Sequence, residues 1–296
     1  MSSEQQIGST VMTTTGKQLR SPPAGSRLDV RALVAFFALA YALSWSWAIP
    51  LAAAHEIVRR GVGWPTHYPL LLGPAIAAVV VTAWTMGRPG VRELLARIVR
   101  WRVPLRWWLA AVSPAVFLGL ALIVMVAAGK ALPSVADFGQ FSGTPAIGLV
   151  GVLLLIFLGA VGEETGWRGY ALPQLQRRFS PLTSTLILAL LWFGWHVPQF
   201  FLIAAYRDVA PVQYAGFLLE LTCGAVVLTW LYNRSGGSIL LVAVWHGLYN
   251  FVSGTQAGSG IVAAVTTALI MIQAVVLIVL ELRARRRGRP SVLGPA

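Results

Sequence analysis

Read as apolar and polar positions, the chain divides into eight long apolar runs separated by short polar or basic stretches. A helix needs about 20 apolar residues to cross a hydrocarbon core. The runs therefore predict membrane helices over Val30–Ala54, Tyr68–Gly87, Trp107–Ala128, Pro145–Leu172, Leu182–Ala205, Val212–Tyr232, Gly237–Gly254 and Ile261–Leu282. No run needs the period of a strand, and no repeat of fixed length appears. The expected fold is an all-α polytopic bundle of about eight transmembrane helices. Residues 1–29 are polar, lack the short apolar core of a removable signal peptide, and read as a flexible cytoplasmic tail. Residues 30–282 form one transmembrane domain, followed by a basic cytoplasmic tail over 283–296.

Composition strengthens the membrane assignment. Of 296 residues, 57% are hydrophobic and 11% charged, and mean hydropathy is +0.71, more apolar material than one water-soluble core absorbs. The net charge of +13 does not point to nucleic acid, because the arginines fall in the gaps between apolar runs. With the N-terminus inside, 19 of the 23 Lys and Arg residues lie on the cytoplasmic side, which places both termini there and the protein in a cell membrane. The stretch Gly87–Arg106 reads as a basic amphipathic helix with Val91, Leu94, Leu95 and Ile98 toward lipid. The lone Cys223 excludes a disulfide framework.

Ionisable groups inside such helices are costly and usually face a bundle interior or wet cavity. Here they are Glu163, Glu164, Arg168, His196, Glu220 and His246, with Asn250 beside them; His55 and His67 fall in the first loop and read as solvated. In "GAVGEETGWRGY" Glu164 and Arg168 stand at i, i+4 and pair on one face, leaving Glu163 rotated about 100° away. In "WFGWHVPQF" Trp192 and His196 share a face, and Pro198 frees the carbonyl of Gly194, which predicts a kink near the histidine. In "VWHGLYN" His246 and Asn250 share a face and offer two donors for an oxyanion. Gly162, Gly166 and Gly169 read as small surfaces that let neighbouring helices bring His196 and His246 close. Glu220 reads as a structural or cavity-lining acid, and Trp192, Trp195 and Trp245 as packing.

These three pieces resemble the motifs of the CPBP family, the intramembrane proteases related to the CAAX-processing endopeptidase Rce, the lysostaphin-resistance proteins and the bacteriocin-immunity (Abi) proteins. Its pattern is Glu-Glu-x-x-x-Arg, Phe-x-x-x-His and His-x-x-x-Asn/Asp in that order. Glu163, Glu164 and Arg168 supply the first and His246 and Asn250 the third; His196 meets the second with Trp192 in place of phenylalanine. The resemblance spans residues 145–254 and implies peptide hydrolysis within the membrane near the cytoplasmic face.

Two forms of that chemistry remain open. In one, Glu163 and His196 activate a water, His246 and Asn250 hold the oxyanion, and Glu164 with Arg168 supports them without a cofactor. In the other, Glu163, His196 and His246 bind one zinc-like divalent ion. The implied partner is a hydrophobic or lipidated peptide or protein in the bilayer. A non-enzymatic immunity protein or a carrier is the alternative function.

Overall fold

The structure, a computed structural model, describes residues 28–207 and 209–295. The expected tail over 1–29 therefore lies, up to residue 27, outside the described residues. Helices account for nearly all regular structure: α1 Val30–Ala53, α2 Gly73–Ile98, α3 Leu105–Ala111, α4 Ser113–Ala127, α5 Gly148–Gly166, α6 Pro181–His196, α7 Pro211–Arg234, α8 Ile239–Gly254 and α9 Ile261–Arg286. Two isolated bridges, Val58 with Ile203 and Arg60 with Ser142, are the only β-type pairings among the described residues.

Each apolar run has become helix, but not each as one long span. Six segments are long and apolar enough to cross a membrane, and a seventh is the pair α3 and α4, bent by 50° at Val112, where Pro114 follows at the start of α4. Helix α8 has 16 residues and reaches only about 24 Å at 1.5 Å per residue.

Burial follows the inverted logic of a membrane bundle. Large apolar side chains such as Leu105, Leu109, Val150, Leu154 and Val275 are exposed on the outside, while Glu163, Glu164, Arg168 and Glu281 are buried. On α1 the buried stripe Ala32, Phe36, Ala40, Ser44 and Ala48 repeats every four residues, the spacing that keeps one helical face on its neighbour. That neighbour is α2. A Cβ on Gly73 would sit 2.1 Å from Ser44 Oγ, and Ser44 Oγ donates to Leu70 O at 2.7 Å.

The expected basic amphipathic helix exists as the second half of α2, set off by a kink at Gly87, whose φ is +62°. Its apolar face is divided differently from expectation: Leu95 is exposed, but Leu94 is buried in the protein. Arg97 also turns inward and donates to Gly169 O at 3.2 Å and Tyr232 Oη at 2.8 Å.

The stretch after α9 folds back onto the bundle. Ser291 Oγ and the amides of Val292 and Leu293 donate to Glu281 Oε2 at 2.8, 2.7 and 3.1 Å. Arg285 Nε donates to the other oxygen at 3.0 Å. Four donors offset the cost of burying that carboxylate, and Leu293 fills the space beside it.

Candidate active site

The three motifs meet. Helix α5 carries Glu163 and Glu164, α6 carries Trp192 and His196, and α8 carries His246 and Asn250. Glu164 Oε1 accepts from Arg168 Nη1 at 2.9 Å and from His246 Nδ1 at 2.8 Å. Glu164 and Arg168 are wholly buried, so the i, i+4 pair holds a histidine from another helix.

Glu163 faces the other way, as the spacing predicted. Its Oε2 accepts from Trp192 Nε1 at 2.9 Å. The same indole lies against Arg168, with the guanidinium carbon 4.4 Å from the ring centroid, and meets the rings of His196 and His246 at 5.7 and 5.4 Å. Trp192 thus links all three motifs. Sequence reasoning assigned it to packing; a phenylalanine at this position would keep the ring contacts but not the hydrogen bond.

The histidine tautomers follow from their partners. His196 Nδ1 lies 2.7 Å from Trp192 O, and a carbonyl only accepts, so Nδ1 carries the proton and Nε2 is left to accept in the neutral ring. His246 likewise gives its Nδ1 proton to Glu164.

Glu163, His196, His246 and Asn250 line one cavity of about 280 Å³, together with Glu220 and Tyr249. Glu164 and Arg168 stand behind that wall. Glu220 Oε1 accepts from Thr267 Oγ1 at 2.7 Å and from Tyr249 Oη, so this acid is both cavity lining and a tie between α7, α8 and α9. From Glu163 the cavity runs to Arg60, in the loop between α1 and α2, and to Ser142 and Tyr206, in the loops before α5 and α7. His67 is a correction to the expected solvated loop residue: it is 5% exposed and lines this cavity. Burial pushes its imidazole down to about 4. His55 is exposed.

Two local features depart from a regular helix. After Gly166 the backbone widens into a π turn over Trp167–Ala171, a distortion common at functional sites. It includes Arg168, and Arg97 occupies the Gly169 carbonyl within it. Near His196 the helix is interrupted as predicted: α6 ends there, Val197 N donates to Gly194 O at 3.2 Å, and a further helical turn follows over Gln199–Leu202.

Gly169 meets Ile239 on α8, the helix of His246, as expected, but Gly162 and Gly166 have other partners. A Cβ on Gly162 would lie 2.6 Å from Leu71 O, and one on Gly166 would lie 2.4 Å from Pro74 Cβ and 2.7 Å from Pro74 O. Gly169 faces Ile239 and Leu94. Gly162 and Gly166 therefore bring the start of α2 against α5, not the histidine helices, while on α8 Gly247 packs on the Phe157 backbone. Gly166→Ala is expected to destabilise the protein by roughly 1–3 kcal/mol, since backbone must shift to admit the methyl group. Thermal unfolding in detergent measures this, and an unchanged midpoint would contradict the packing.

Among the described residues no three His, Cys, Asp or Glu side chains are grouped to hold a metal ion. The set Glu163, His196 and His246 does not fit one as placed.

Residues 144–252 match the family described as Type II CAAX prenyl endopeptidase Rce1-like. The chain is also 28% identical over 191 residues to a protein of Methanococcus maripaludis named CAAX prenyl protease 2, across 62% of this chain and 69% of the relative. Every site residue from Glu163 to Asn250 lies within the matched segment. With its apolar helices, the chain is a multi-pass membrane protein, and its core is similar to the Rce1-like family.

Proposed function

We propose that the protein is an intramembrane endopeptidase in which Glu163 activates water against a peptide carbonyl. The observation that carries this is the division between two adjacent carboxylates. Glu164 is committed to Arg168 and His246, whereas Glu163, bonded only to Trp192 among the described residues, faces the cavity.

Glu163 takes a proton from water, and the oxygen attacks the carbonyl carbon. His196 Nε2 accepts the second water hydrogen as a bond and orients the nucleophile. Asn250 Nδ2 and His246 Nε2 donate to the developing oxyanion. Because His246 already gives Nδ1–H to Glu164, its donation uses the imidazolium, whose charge Glu164 offsets. Collapse breaks the C–N bond, and Glu163 returns its proton to the amine nitrogen. The second water proton, left on the new carboxylic acid beside His196, passes to the amine, so the products are a carboxylate and an ammonium.

The substrate is an apolar or lipidated peptide, in keeping with a cavity walled by Leu71, Ile156, Phe217 and Trp245 and with the name of the archaeal relative. The arginine asymmetry favours cytoplasmic termini. Glu164 stands eight residues before Leu172, about 12 Å along the helix, so the reacting bond sits in the half of the bilayer toward the termini.

Purified protein in nanodiscs is expected to cut apolar peptides, some bearing an S-prenyl cysteine, as read by mass spectrometry. Intact peptides throughout would end the reading. Activity is also expected to survive a strong chelator, with metal analysis finding less than one ion per ten chains; loss of activity restored by zinc would replace Glu163 as water activator.

A further inference from the structure

The cavity is electrically polar along its length, and the proposed reaction does not use that polarity. At its deep end stand Glu163 and, about one turn of α8 outward, Glu220 held by Tyr249 and Thr267. At its other end stands Arg60, the one guanidinium on the wall among the described residues.

Arg60 is fixed in place. The Arg60–Ser142 and Val58–Ile203 bridges hold its segment across the cavity end. Nε donates to Gly254 O at 3.1 Å and Nη1 to Gln256 Oε1 at 3.1 Å, both neutral acceptors. None of the ion pairs among the described residues includes it, and burial pulls the guanidinium below its ordinary value. With Nε and Nη1 engaged, Nη2 makes no hydrogen bond among the described residues and keeps its donors for a carboxylate, the ligand a guanidinium matches best.

We infer that Arg60 binds the free α-carboxylate of the peptide, so that the substrate enters with its C-terminus at the Arg60 end and its reacting bond at Glu163. This rests on the peptidase reading and adds direction and end-group specificity to it. Gly254, which accepts from Arg60, stands eight residues beyond His246 on α8, a rise of about 12 Å. An extended segment of about four residues covers that distance, so Arg60 can read a carboxylate close behind the cut. The released fragment carries an ammonium at its new N-terminus and a carboxylate at the other end. Glu220 inside and Arg60 outside complement that dipole.

The test uses paired fluorophore-labelled apolar peptides that differ only in ending as a free acid or a C-terminal amide. With the wild type, kcat/KM for the acid is expected to exceed that for the amide by about 10- to 100-fold, the range for a charge-assisted hydrogen bond. Arg60→Gln brings the ratio near one, and Arg60→Lys restores part of it. Equal rates for acid and amide with the wild type, or an unchanged preference in Arg60→Gln, would overturn the inference. Binding to the Glu163→Gln protein by fluorescence anisotropy separates this claim from catalysis. Tighter binding of the acid, lost on adding Arg60→Gln, supports the carboxylate site even if no peptide is cut. Equal affinities for acid and amide there count against it even if peptides are cut. A site for lipid phosphate instead would bind both peptides alike.

Discussion

Arg168→Met is expected to destabilise the folded bundle by about 3–5 kcal/mol, the usual cost of removing one partner from a buried ion pair. Glu164 and Arg168 are both fully buried, so the carboxylate left behind has no water to turn to. His246 would remain as its only partner, and the contact of the guanidinium with Trp192 would also be lost. Adding Glu164→Gln to Arg168→Met should recover part of the loss, because a neutral amide costs less to bury than an unpaired charge. Thermal unfolding in detergent for wild type, both single variants and the double variant reads the coupling. Additive effects would show that the pair is not the structural support assigned to it.

The second large effect is on turnover. Glu163→Gln keeps an acceptor for Trp192 Nε1 and nearly the same volume, but removes the base, and general-base catalysis contributes about 10²–10⁴ in rate. We expect kcat to fall about 10³-fold or more with little change in thermal midpoint. Substrate affinity should fall far less than rate. A loss confined to KM would make Glu163 a binding residue.

Much of this site was legible before any coordinates. An i, i+4 spacing is a statement about one helix face, so the Glu164–Arg168 pair and the separate aspect of Glu163 could be read from "EETGWR". The all-helical membrane bundle was equally visible, since lipid demands long apolar stretches, but six or seven spans, not eight, meet the length and apolarity of a crossing.

What escaped was long-range or conformational. Arg97 reaches a carbonyl 72 positions away, and nothing near it in sequence marks that contact. His67 looked solvated because its neighbours are loop residues, yet the loop folds inward and buries it. The π turn at Trp167–Ala171 leaves no composition signature, and the partners of Gly162 and Gly166 depend on how α2 crosses α5. Trp192 was read by size alone, while its N–H holds Glu163. Glu281, near the end of the last apolar run, was not singled out at all, and its role appears only when residues 291–293 fold back on it.

The central claim, that Glu163 turns water on a peptide bond within the membrane, meets its most direct test in ¹⁸O-labelled water. Purified wild type and Glu163→Gln in nanodiscs, incubated with one apolar peptide and analysed by mass spectrometry, should differ completely: the wild type yields two fragments, with one ¹⁸O in the new carboxylate, and the variant yields neither. Intact peptide with the wild type, or equal labelled cleavage by Glu163→Gln, would contradict it.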